Sequence, residues 1–201
     1  MDKYAFLFDS DRCVSCKRCV VVCRKENNIG DDWDRIFLTM RQSGQDFASM
    51  EPFVEMCNHC DKPGCIEACP VDGKAIYKRP EDGIVLVEPE KCTGCGKCVT
   101  GCPYDMIHLS SWKNSKGQVI ADKCTYCVHI LDDLDNVPDD HMTPCVEVCP
   151  TGALEFYKKD QINEKIKWKG REDDIIDMEK GGLTPNNIYL KKRHVKKVIS
   201  F

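Results

Sequence analysis

Apolar residues in this chain come in short runs, each set between a cysteine-rich loop and a cluster of turn-forming residues. Tyr4 to Phe8 reads as a strand ahead of the first cysteines. Ala75-Ile76-Tyr77-Lys78 and Ile84-Val85-Leu86-Val87 flank Arg79-Pro80-Glu81-Asp82-Gly83, which predicts a β-hairpin with a turn rich in Pro, Asp and Gly. Met106-Ile107-His108-Leu109 and Val119-Ile120-Ala121 flank a Lys113-to-Gly117 turn in the same manner, and Ala153 to Tyr157 forms a further strand. The recurring unit is cysteine loop, short strand, turn, short strand, with starts at Cys13, Cys57, Cys92 and Cys124.

Several segments fall outside this repeat. Asn28 to Met56 links the first two units, and Asp132 to Met142 carries five acidic residues and reads as a surface loop. Lys158 to Phe201 is a charged tail with a short helix and an extended Leu183-to-Leu190 stretch. It is either a solvated appendage or an arm that wraps the rest of the chain or a partner. Its basic end, Lys191-Lys192-Arg193-His194 with Lys196-Lys197, is too short a stretch to point to nucleic acid.

Composition alters this picture at one residue type. The 201 residues are 31% charged and 42% hydrophobic, as in ordinary globular proteins, but sixteen are cysteine. Disulfides, zinc and iron–sulfur clusters compete to explain them. The apolar stretch at the N-terminus is interrupted by Asp9 and Asp11 and is too short for a secretory segment. No run approaches the roughly 18 apolar residues of a membrane span. The expectation is a chain that does not insert into the membrane and stays in the cytoplasm, unless a folded partner with its own export signal carries it to the periplasm. Disulfides persist mainly in oxidising compartments, which weakens that framework. The formal net charge is −4. Four cluster sites, each about −2 with its thiolates, would add roughly −8, which argues against nucleic acid as a partner.

The cysteines fall into four groups of four with none left over. Cys13, Cys16, Cys19 and Cys23 form a C-x2-C-x2-C-x3-C run, as do Cys92, Cys95, Cys98 and Cys102, the latter followed by Pro103. Cys57, Cys60, Cys65 and Cys69 are spaced C-x2-C-x4-C-x3-C before Pro70. Cys124, Cys127, Cys145 and Cys149 are spaced C-x2-C-x17-C-x3-C before Pro150. Three cysteines on a tight loop can wrap one corner of a cubane, while a fourth, three residues on, points away. In two-cluster ferredoxins that fourth residue ligates the other cluster. The proline after it fixes φ and turns the chain. Zinc sites pair C-x2-C units across a longer stretch; the fourth group alone could be read so, but in the first and third groups the third cysteine arrives too soon.

This layout resembles the four-cluster ferredoxin-like electron-transfer subunits of molybdopterin oxidoreductases, such as dimethyl sulfoxide, polysulfide, thiosulfate and arsenate reductases and formate dehydrogenases. Cys57-Asn58-His59-Cys60, Glu81-Asp82-Gly83-Ile84-Val85 and Cys102-Pro103-Tyr104 fit the same pattern, and the resemblance runs from about Tyr4 to Tyr157. It implies an α+β fold of two pseudo-symmetric ferredoxin-like [4Fe–4S] modules with short β-hairpins and a charged C-terminal extension. Residues 1–30 and 120–160 would form the first, discontinuous module, residues 50–119 the second, and residues 161–201 the extension. It also implies crossed ligation. Cys13, Cys16 and Cys19 would share a cluster with Cys149, and Cys124, Cys127 and Cys145 one with Cys23. Cys57, Cys60 and Cys65 would share one with Cys102, and Cys92, Cys95 and Cys98 one with Cys69. Some relatives replace a third-group ligand with tryptophan; here Cys95 is present, so four [4Fe–4S] clusters are expected. The chain departs from the pattern at Arg24, where a proline could follow Cys23.

The implied function is a one-electron relay to or from a molybdenum or tungsten pterin catalytic subunit, in a heterodimer or larger complex. A membrane quinol subunit or a soluble carrier would stand at the far end. The stretch Cys124-Thr125-Tyr126-Cys127-Val128-His129-Ile130-Leu131-Asp132-Asp133 is somewhat similar to the small subunits of pyrogallol–phloroglucinol transhydroxylases, which leaves aromatic hydroxyl transfer open for the partner. A free-standing polyferredoxin and a redox-silent or sensing protein are the alternatives. No Rossmann, P-loop or triad pattern marks the chain as a catalyst by itself. Lys17, Arg18, Arg24, Lys62, Lys91, Lys97 and Lys123 flank ligand positions and read individually as solvated side chains, while His59 reads as an incidental neighbour. Trp33, Trp112 and Trp168 are expected to pack or to meet a partner.

Overall fold

The computed structural model describes residues 3–30, 33–42, 50–132 and 143–193. The acidic stretch beyond Asp132 and the basic end from His194 onward lie outside the described residues. In chain order the elements are β1 (Tyr4–Asp9), α1 (Arg18–Glu26), β2 (Ile36–Gln42), β3 (Met50–Met56), α2 (Gly64–Glu67), β4 (Ile76–Lys78), β5 (Val85–Val87), α3 (Lys97–Thr100), β6 (His108–Lys113), β7 (Val119–Asp122), α4 (Val128–Leu131), α5 (Pro144–Glu147), β8 (Leu154–Lys158), α6 (Lys159–Trp168) and β9 (Ile188–Leu190).

This is the expected mixture of short strands and short helices. β1 pairs antiparallel with β8, placing Phe6 opposite Phe156, and parallel with β9. The hairpins β4–β5 and β6–β7 form where the turn residues predict them. A third hairpin, β2–β3, occupies the linking segment, where the repeat predicts no element. Pro52, a residue that usually demotes a strand to a sheet edge, sits inside β3 opposite Met40. Among the described residues β3 pairs with β2 alone, so Pro52 sits on an edge strand, where a missing N–H is tolerated.

The largest core cluster is aromatic. Phe6 lies 4.7 Å from Phe156 and 5.2 Å from Tyr126, and Phe53 stacks on Tyr189 at 5.0 Å, with Ile36, Met56 and Leu154 around them. Such offset and edge contacts add to what area burial contributes. A second cluster is smaller and aliphatic, built from Ala75, Ile76, Val85, Ile107 and Ile120 beside Cys69, Cys92 and Cys98. α2 and α3 approach backbone to backbone. A Cβ on Gly64 would lie 2.6 Å from the Gly101 carbonyl oxygen, and one on Gly101 would lie 2.6 Å from the Ala68 Cβ, so neither position has room for a side chain.

Over its described length the tail is packed against the rest of the chain. α6 seats Ile162 and Ile166 on Ala5 and Leu7. Arg171 reaches Asp9, Asp11 and Asp174. Ahead of β9, Asn187 accepts from the Phe6 N–H at 3.0 Å and from the Tyr126 hydroxyl at 2.5 Å, and its amide donates to the Cys57 carbonyl at 3.1 Å. Tyr189 donates to the Asn58 side chain at 3.0 Å. The tail therefore fixes the loop that carries Cys57 and Cys60.

Candidate iron–sulfur sites

The cysteine loops share one backbone device. In each C-x2-C segment the residue before the second cysteine has positive φ: Ser15 at 56°, His59 at 43°, Gly94 at 68° and Tyr126 at 56°. Only one of these is glycine, and positive φ is costly for the other three. The bend folds each loop around a point. His59 and Tyr126, the bend residues of two different groups, lie against one another with ring centroids 3.7 Å apart and planes tilted by 35°.

Short helices then carry the later cysteines. Cys19 and Cys23 are one turn apart on α1, and Cys65 and Cys69 span α2 and its end. Cys98 and Cys102 do the same on α3, and Cys145 and Cys149 on α5. One turn advances about 5.4 Å along the axis, and the two cysteines of each pair line different cavities.

Four cavities result. The first is lined by Cys13, Cys16, Cys19 and Cys149, the second by Cys23, Cys124, Cys127 and Cys145, the third by Cys57, Cys60, Cys65 and Cys102, and the fourth by Cys69, Cys92, Cys95 and Cys98. All sixteen cysteines are free thiols. Among the described residues, no set of three or more Cys, His, Asp or Glu side chains is placed to hold a single metal ion. Each cavity is lined by four cysteines, the ligand number of a [4Fe–4S] cluster.

The electrostatics fit the same group. Burial, with the charge of neighbouring cysteines, pushes Cys60 and Cys65 up to about 12. Burial pushes Cys127 up to about 12, with Cys124 next in effect, and Cys98 up to about 11, with Cys92 next. Cys145 lies well above its ordinary value through burial, against the pull of the Thr143 hydroxyl 3.2 Å away. Four thiolates cannot stand together in such a space without a cationic core, and metal coordination deprotonates thiols outright. Two fourth cysteines behave differently. Burial raises Cys69, but backbone N–H groups of Ala75, Val71 and Ile76 outweigh it and hold the thiol low. At Cys149, N–H groups of Leu154, Thr151 and Ala153 likewise outweigh burial. Both sit before a proline that turns the chain back over the sulfur.

The cations flanking the cysteines separate into two kinds. Lys17, Arg18, Lys62, Lys91 and Lys97 are exposed, and Arg24 is half-buried and pairs with Asp34. Lys123 is only 1% exposed. It lines the third cavity, donates to the carbonyls of Val85 and Cys124, and acts electrostatically on Cys65 and Cys124, which belong to different cavities. His59 is fully buried beside it. Burial, reinforced by the positive charge of Lys123, pushes the imidazole well below the usual histidine range. Its Nδ1 accepts the Val85 N–H at 2.9 Å. The sequence alone does not mark Lys123 out, because seven cations look alike along the chain and only burial distinguishes them.

Trp33 stacks on His108 at 3.5 Å and Trp112 lies under Arg35, so both pack as expected. Trp168 is 86% exposed at the end of α6. No helix among the described residues is long and apolar enough to cross a membrane.

Comparison with known proteins identifies the family. Residues 48–159 match the family described as a 4Fe-4S dicluster domain, and residues 10–26 match a 4Fe-4S binding domain. The chain is 38% identical over 195 residues to the B subunit of tetrathionate reductase from Salmonella typhimurium, covering 94% of this chain and 72% of that protein. It is 31% identical over 175 residues to the thiosulfate reductase electron transfer subunit PhsB of Salmonella typhi, covering 86% and 84%. It is 30% identical over 166 residues to the protein NrfC of Escherichia coli, covering 82% and 69%.

Proposed function

The chain belongs to the 4Fe-4S dicluster family of reductase electron-transfer subunits and relays single electrons through four [4Fe–4S] clusters; from that premise we propose that its catalytic partner is a molybdopterin subunit and that each cysteine quartet holds one cluster. Bound clusters supply the one-electron redox chemistry. The chain itself supplies spacing, insulation and electrostatics. The observation that carries the ligand reading is the make-up of the four cavities: each combines three cysteines of one group with the last cysteine of another.

On this reading the cavities follow one another in a line. α1 and α5 each carry one cysteine of the first cavity and one of the second. α2 and α3 do so for the third and fourth. Electrostatic contact between Cys57 and Cys124, and the His59–Tyr126 ring contact, bring the second and third together. This favours two modules, residues 1–30 with 120–160 and residues 50–119, with 161–201 as the C-terminal extension, whose described part packs on both. The exposed cysteines Cys16 and Cys95 lie in the first and fourth cavities, so electrons enter and leave at those ends. Apolar side chains ring both: Val14 is 61% exposed beside Cys16, and Leu109 lines the cavity of Cys95 at 38% exposure.

Affinity purification of the chain from its native cells tests the partner assignment. The expected result is a stable complex with a large subunit containing pterin and molybdenum or tungsten. A stable monomer carrying its full iron would favour a free-standing polyferredoxin.

A further inference from the structure

The second cavity differs from the other three in what faces its fourth cysteine. Cys69 and Cys149 are served by backbone N–H groups, as is Cys102 through Tyr104 and Met106, although burial leaves that thiol raised. Each of these cysteines precedes a proline that ends the helical turn. Cys23 precedes Arg24, so α1 continues to Glu26 and Asn27 caps it. The donor at Cys23 is instead a side chain: Asn27 Nδ2 lies 3.7 Å from Cys23 Sγ and 2.9 Å from the Cys23 carbonyl. The same amide acts on Cys127, the cysteine across the cavity.

An asparagine amide can present either its N–H₂ or its oxygen, and the hydrogen-bond network decides which. Here Arg35 decides. Its Nη1 donates to Asn27 Oδ1 at 2.6 Å, which turns the N–H₂ toward the sulfurs. Arg35 is itself held by a bidentate pair with Asp122, Nε to Oδ2 at 2.9 Å and Nη2 to Oδ1 at 2.6 Å, and lies over the Trp112 ring. Both ends of this ion pair are buried. Arg35 precedes β2 and Asp122 ends β7, so two elements from distant parts of the sequence fix one amide.

We propose that Asn27, oriented by the Arg35–Asp122 pair, sets the reduction potential of the cluster held in the second cavity. The proposal rests on the reading that Cys23, Cys124, Cys127 and Cys145 hold that cluster. Hydrogen bonds to sulfur are one of the determinants of cluster potential. A donor stabilises the extra electron of the reduced cluster, so the amide raises the potential. Asn27 thereby supplies from a side chain what the proline-terminated turns supply from the backbone. Asn27 is a positioning and tuning residue, not a ligand.

The test is a redox titration of the full holoprotein followed by electron paramagnetic resonance, with iron counted in parallel. Asn27→Leu removes the donor. One midpoint potential is expected to fall by about tenfold in its equilibrium constant, about 59 mV for a one-electron couple, while the other three stay in place and the iron content is unchanged. Asn27→Asp, which keeps the shape but turns an acceptor toward the sulfurs, is expected to lower the same potential further. Cys23→Ser identifies the signal that belongs to this cavity. Unchanged potentials, a uniform shift of all four, a shift in a different signal, or loss of iron from Asn27→Leu would each overturn the proposal. If Cys23→Ser removes no cluster signal, the ligand reading fails, and the tuning proposal falls with it.

Discussion

The two inner cavities and the two outer ones are built from the same loops but insulated differently. Each outer cavity has one exposed cysteine, Cys16 or Cys95, and its fourth cysteine is held by backbone N–H groups. The inner cavities contain no exposed cysteine, and buried ionisable groups surround them: Arg35 with Asp122 at the second, and Lys123 with His59 at the third. Charge buried away from water acts far more strongly than charge at a surface. On the proposed ligand reading, the difference teaches that fixed side chains tune the inner sites while the outer sites are open to exchange.

The largest effects should come from breaking buried groups at the inner sites. Asp122→Ala leaves Arg35 buried without its partner, and removal of one member of a buried pair costs about 3–5 kcal/mol. Thermal unfolding of the holoprotein should show a large drop in midpoint. The half-exposed Lys3–Asp61 pair offers the contrast: Lys3→Ala should cost only about 0–1 kcal/mol. Equal losses would erase the distinction between the two kinds of ion pair.

Cysteine variants come next. Cys95→Ala, at an exposed ligand position, should remove about a quarter of the iron and spare the other three clusters. Cys145→Ala should also lose one cluster, but its buried place beside Phe6 and Tyr126 adds a cavity in the aromatic core, so its melting temperature should fall further. Unchanged iron content in either variant would sink that ligand assignment.

Cation variants give smaller and more selective effects. Lys123→Met removes a positive charge that acts on cysteines of both inner cavities. Both inner potentials should fall, each by about tenfold in its equilibrium constant, about 59 mV for one electron, while the outer two hold. Lys97→Ala, at an exposed position beside Cys98, should shift the fourth potential least, by an amount that fades as salt is added. A shift at Lys97 as large as that at Lys123 would contradict the contrast between inner and outer sites.

Much of this is legible in the sequence. Cysteine spacing and turn chemistry locate the loops and the hairpins β4–β5 and β6–β7, because both signals are local. The grouping of cysteines comes through family resemblance, since spacing alone does not say which group lends its last residue to which. The hairpin β2–β3 is hidden because Pro52 interrupts the strand signal and no cysteine loop marks its start. The tail leaves open whether it is solvated, and only the contacts of Asn186 and Asn187 with the Asn58 to His59 loop and Cys57 decide that it straps the third cavity. Asn27, Arg35 and Asp122 carry no local signal. Asp122 lies 87 residues from Arg35, and the pair that orients Asn27 forms only through tertiary packing. The one trace is Arg24, whose place after Cys23 lets α1 run on to Asn27.

Crossed ligation is the central claim, and spectra of Cys13→Ser, Cys145→Ser and Cys149→Ser test it most directly. Cys149 belongs to the same sequence group as Cys145 but lines the cavity of Cys13. The electron paramagnetic resonance component lost in Cys149→Ser should therefore match the one lost in Cys13→Ser. Loss instead of the component removed by Cys145→Ser would contradict the account.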